Sequence, residues 1–70
     1  MLKFEIKLDS IIERKNISRR ELAKRTGIRR ATINDLCNNK AKHISLENLA
    51  LICDELDIID VSELLVIITE

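Results

Sequence analysis

Residues 29–38, RRATINDLCN, hold the side chains best suited to chemistry with a large partner. On a helical wheel Ile33 and Leu36 point one way. Ala31, Asn34, Asp35 and Asn38 fall at i, i+3, i+4 and i+7 on the opposite face. A small apolar group, an amide and an acid make a poor solubilising surface but a good set of readers for base edges. Arg bonds guanine O6 and N7, Ala meets the thymine methyl, Asn pairs with adenine, and Asp accepts from cytosine N4. Arg30, at the helix start, flanks this face and has the reach to enter a groove.

The charge distribution agrees with that chemistry, although the net charge is zero. Ten basic residues (Arg14, Lys15, Arg19, Arg20, Lys24, Arg25, Arg29, Arg30, Lys40 and Lys42) lie between positions 14 and 42, against the two acids Glu21 and Asp35. From His43 onward there are seven acids and no Lys or Arg. One half of the molecule can face phosphates while the other balances the sum.

Catalysis finds no matching set. His43 is the only histidine, no Gly-rich phosphate loop exists, and the acids are scattered along helix surfaces. Cys37 and Cys53 fall short of the four ligands of a structural zinc site, so they read as buried or half-buried thiols. The expectation is a binding protein and not an enzyme, with no metal and no cofactor.

These side chains need elements to hold them. Gly27 is the only glycine, placed between a helical run at 19–25 that carries Leu22 and Ala23 and a second run that carries Ile33 and Leu36. A single residue able to take φ > 0 between two amphipathic runs marks a tight helix–helix corner. Ala23 is small enough to let the helices cross closely, and Leu22, Ile28, Ile33 and Leu36 supply the buried contacts. Ser18 and Glu21 have capping-box spacing, with Ile17 as a hydrophobic staple. Asn39 suits a left-handed position closing the second helix. Ser45 caps a further helix whose Leu46, Leu49, Ala50, Cys53 and Leu56 repeat at helical spacing, with Ile52 broadening the stripe. Residues 2–8 alternate apolar and charged, which predicts a half-buried strand. Asp9 then caps a helix bearing Leu8, Ile11 and Ile12 that ends near Asn16. Asp60 begins a short helix containing Leu64 and Leu65, and the β-branched VIITE end pairs with the first strand.

Residues 19–36, RRELAKRTGIRRATINDL, together with NISRRELA before the corner and SLENLALICDEL after it, resemble the lambda-repressor-like (Cro/Xre-type) helix-turn-helix DNA-binding family. Ala23, Gly27, Ile33 and Leu36 stand at that family's spacing, and the likeness runs from about Leu8 to Leu65. Two positions depart from it. Arg29 stands where relatives carry a capping Ser or Thr, and Asn39 stands where they carry Gly. The resemblance implies a mainly α, compact four- to five-helix domain over residues 1–70, with the helix-turn-helix at 19–38 and a small two-stranded sheet from the termini. It also implies a sequence-specific regulator of transcription, a repressor, with helix 29–38 in the major groove of double-stranded DNA. Base reading falls to Arg29, Arg30, Ala31, Asn34 and Asp35. Arg19, Thr32, Asn38, Lys40 and Lys42 match the places where family members grip phosphates. Such proteins usually act as homodimers, and the LLVII run with the N-terminal strand offers a surface for one. The competing expectation is a protein-interaction module, such as the antitoxin of a toxin–antitoxin pair, using the acidic half.

Hydrophobic content is 46%, yet Phe4 is the only aromatic, so the core must be aliphatic. At 70 residues the chain is one domain near the lower size limit for an unaided core. No apolar run resembles a signal peptide or a membrane span, and a cytoplasmic location is expected.

Overall fold

The computed structural model describes residues 1–69. Its elements in order are β1 (Leu2–Ile6), α1 (Leu8–Arg14), α2 (Arg19–Thr26), α3 (Arg30–Cys37), α4 (Leu46–Glu55), a 3₁₀ turn at Val61–Glu63, and β2 (Leu65–Thr69). The two strands form an antiparallel sheet from the two ends of the chain, in the register Leu2↔Thr69, Phe4↔Ile67 and Ile6↔Leu65. The expected class holds: a helical body with a small terminal sheet.

The core is aliphatic. Leu8, Leu22, Ile33, Leu36, Ile52, Leu56 and Leu64 are fully buried, drawing one or two side chains from each helix or its cap and one from the residue between the 3₁₀ turn and β2. No polar or charged residue is buried among the described residues. Ile17 packs against this core before α2, as a staple should. Ser18 Oγ accepts the Glu21 N–H at 3.0 Å, and Ser45 Oγ accepts the Asn48 N–H at 3.0 Å, so both helices start where their caps stand.

Several boundaries differ from expectation. The first strand stops at Ile6 and Leu8 opens α1, because burying Leu8 with Ile11 and Ile12 removes more apolar area than extending an exposed strand. Lys7 occupies the capping position without a side-chain bond, and Asp9 lies inside the first turn. The short helix at Asp60 is the 3₁₀ turn alone, with Leu64 and Leu65 beyond it. Asp60 caps it by accepting the Ser62 N–H at 3.0 Å and the Ser62 hydroxyl at 2.8 Å, which holds the exposed Asp60 carboxyl below its usual pKa. Leu46 and Ala50, expected inward on α4, face solvent, Leu46 at 83% exposure. The capping box is half formed: the Glu21 carboxylate accepts from Arg25 Nε at 3.2 Å instead of turning back to Ser18.

Candidate nucleic-acid interface

The corner between α2 and α3 is closed by Gly27. Its φ of 76° and ψ of 3° are left-handed, and its N–H donates to the Ala23 carbonyl at 2.9 Å. A Cβ there would meet nothing within 4 Å, so backbone conformation alone requires glycine. Thr26 completes the turn: its hydroxyl donates to the Leu22 carbonyl at 2.8 Å and accepts the Ile28 N–H at 3.2 Å. The chain then enters α3 with Ile28, Ile33, Leu36 and Cys37 turned into the core. Burial pushes the Cys37 thiol pKa up, with nearby Arg19 opposing and Asp9 adding to the effect; Cys53 is raised by burial as well. Neither thiol is activated.

With that face committed, α3 presents the other. Arg29, Arg30, Ala31, Asp35 and Asn38 are exposed, Thr32 and Asn34 are half-buried at its sides, and Lys40 and Lys42 follow, exposed, in the next loop. Arg29 is the capping residue of α3 and makes no side-chain cap bond, and no acid stands in the first turn. The amide donors that open α3 are thus uncapped, beside two guanidinium groups. This is unfavourable for the isolated helix and favourable for an anion.

Asn34 is the one expected base reader that the structure ties down. Its Oδ1 accepts from Arg19 Nη1 at 3.3 Å, so it leans toward α2 instead of straight outward. Arg19 is a hub: Nη2 also donates to Asp9 Oδ1 at 3.2 Å and Asn38 Oδ1 at 3.1 Å. Three of the five guanidinium N–H donors therefore hold α1, α2 and α3 together, and two are left to point elsewhere. Each contact is weak at this exposure. Together they fix the orientation of the group across the mouth of the corner.

Two features of the site escaped sequence reasoning. Asn39 takes the left-handed φ of 57° that suits it, but its side chain also acts. Its Oδ1 accepts the Ile6 N–H at 2.7 Å and its Nδ2 donates to the Ile6 carbonyl at 3.1 Å, joining the end of α3 to β1. Further on, Thr32, Asp35, Lys40, Lys42, Ser45 and Asn48 line an open cleft of about 520 Å³ between α3 and the start of α4. Ser45 reads from sequence as a helix cap alone and Asn48 carries no assigned role, and nothing in their spacing points to the cleft.

The basic residues divide into two sets. Arg25 is engaged with Glu21 at 3.2 Å and Glu55 at 3.7 Å, bracing α2 against α4. Arg29, Arg30, Lys40 and Lys42 make no ion pair among the described residues. Two helices locked by a glycine corner, the second showing unneutralised cations beside amides, define a helix-turn-helix protein. The chain belongs to the Cro/C1-type HTH DNA-binding domain family, whose model matches residues 7–70. No curated protein and no solved structure matches the chain significantly. No helix among the described residues is long and apolar enough to cross a membrane.

Proposed function

We propose that the protein is a sequence-specific regulator of transcription that represses by laying α3 in the major groove of duplex DNA as a homodimer. The carrying observation is the coincidence of the unpaired cations Arg29, Arg30, Lys40 and Lys42 with the exposed face of the second helix of the motif. Arg30, Ala31 and Asp35 read base edges, Asn34 assists through the amide donors that Arg19 leaves free, and Arg29 contributes a base or phosphate contact at the groove edge. Arg19, Thr32, Asn38, Lys40 and Lys42 hold the backbone, with one phosphate seated over the cleft that Lys40 and Lys42 rim. The whole chain acts as one domain, and its role is binding, without catalysis. It works in the cytoplasm, where free thiols persist. Repression needs nothing beyond occupancy of the site.

One α3 touches too few base pairs for strong specificity, which is the reason for a two-fold dimer. Selection from a randomised duplex pool tests the reading. An inverted repeat with half-site centres about 10 base pairs apart is expected. Failure to enrich any sequence would refute it. The competing reading, an antitoxin-like protein partner, has its own observation: Ile59 and Val61 stand exposed beside Asp57, Asp60 and Glu63. A stoichiometric protein complex formed without duplex binding would favour it.

A further inference from the structure

We propose that a second copy of this chain joins along the free edge of β2 and not along β1, forming one four-stranded antiparallel sheet with its two-fold axis at Ile67. This specifies the surface of the homodimer proposed above and rests on that reading. The argument starts from the ladder. Lys7 N–H donates to the Leu64 carbonyl at 2.8 Å, and the register runs on from there with Ile6↔Leu65 and Glu5↔Val66. Glu5 and Lys3 therefore exchange bonds with Val66 and Ile68, while Leu64 accepts from Lys7 and donates its own N–H to the Val61 carbonyl at 2.9 Å. The backbone groups of Leu2, Phe4 and Ile6 on one edge, and of Leu65, Ile67 and Thr69 on the other, point away from the sheet.

The two edges are not equivalent. On β1 both outward groups of Ile6 are occupied by the Asn39 side chain, at 2.7 and 3.1 Å, which stands where a third strand would. Lys3, Glu5 and Lys7 add alternating charge along that strand. β2 reads LVIIT, with no charge, no proline and no glycine, and the outward N–H and C=O of Leu65 and Ile67 have no partner among the described residues. An uncharged, β-branched open edge is the kind that folded proteins cover or blunt.

Beside this edge lies exposed apolar surface. Phe4 and Ile67 face each other across the ladder on one side of the sheet, exposed by 69% and 59%, with Leu2 next to them at 65%. An antiparallel strand centred on Ile67 is complementary to itself: Ile67 meets Ile67 of the second copy, and Leu65 meets Thr69. The same operation sets Phe4, Ile67, Ile67 and Phe4 in one row across four strands. Assembly stops there, because the outer edges of the new sheet are the two β1 strands, charged and stoppered by Asn39. The pairing closes at two copies instead of propagating.

Sedimentation equilibrium of the full chain is the test, with far-UV circular dichroism as the fold control and duplex binding measured in parallel. Ile67→Pro removes only an outward N–H and leaves the β1–β2 ladder its bonds. The expected result is a dimeric wild type, a folded monomeric Ile67→Pro variant, and an Asn39→Gly variant that sediments beyond the dimer because the β1 edge is freed. Amide exchange on the unaltered protein gives an independent reading. Ile67 N–H protection should fall on dilution while that of Val66 and Ile68 stays. A dimeric Ile67→Pro, an Asn39→Gly that stops at two copies, or an Ile67 amide that exchanges freely in concentrated protein overturns the proposal. A wild type that stays monomeric yet binds duplex DNA overturns it while leaving DNA binding in place.

Discussion

Asn39 offers a substitution series in which backbone and side-chain contributions separate. At φ 57° an ordinary L-residue is strained, by about 1–2 kcal/mol, with Asn among the least affected. The two bonds to Ile6 are exposed, so each contributes about 0.5–1 kcal/mol, the lower part of the usual range. Asn39→Ala loses both bonds and meets the backbone strain in full, for a total of about 2–4 kcal/mol. Asn39→Gly loses the same bonds but relieves the strain, leaving a net loss of about 0.5–1 kcal/mol. Asn39→Asp keeps the acceptor for the Ile6 N–H but sets a carboxylate oxygen against the Ile6 carbonyl, and falls between them. Urea unfolding followed by circular dichroism, at a protein concentration low enough that sedimentation shows wild type and every variant monomeric because association adds stability, should rank the variants Gly, Asp, Ala in order of increasing loss. An Asn39→Gly protein as stable as wild type would show that the bonds to β1 contribute nothing and that Asn39 serves its backbone conformation alone. Equal losses for Gly and Ala would remove the backbone part of the argument.

Three further outcomes are expected. Arg29→Ser should raise stability by about 0.5–2 kcal/mol, since serine supplies the cap that α3 lacks, and should weaken DNA binding; thermal melts and fluorescence anisotropy measure both, and unchanged binding would place Arg29 outside the interface. Gly27→Ala should cost about 1–2 kcal/mol in urea unfolding with no added clash, and a neutral result would mean the corner relaxes away from φ 76°. Arg30→Ala should relax preference at one base pair by about 1–3 kcal/mol in competition binding; a uniform loss over all sequences would assign Arg30 to a phosphate.

Much of the fold was legible because its signals are local. Gly27 as the corner, Ser18 and Ser45 as caps, and the inward Leu22, Ile33 and Leu36 each follow from a few neighbouring residues. The junction at Leu8 was harder. Leu8 belongs equally to the alternating pattern of residues 2–8 and to the helical stripe with Ile11 and Ile12, and only packing decides between them. Leu46 kept the right spacing yet projects past the core from the first turn of α4. Least legible were contacts spanning the chain. Asp9 of α1 and Asn34 and Asn38 of α3 and its cap converge on Arg19 of α2, and Asn39 reaches Ile6 thirty-three positions away. No periodicity encodes such pairs. They arise once the helices are packed, and they turned Asn34 from an outward reader into a side chain shared with α2.

The salt dependence of duplex binding tests the central claim most directly. With about five phosphates neutralised, the logarithm of affinity should fall against the logarithm of salt concentration with a slope near −4 to −5. Lys40→Ala should weaken binding to every sequence alike and reduce that slope by about one. An affinity indifferent to salt, or a slope that Lys40→Ala leaves unchanged together with the affinity, would contradict a DNA interface built on this face.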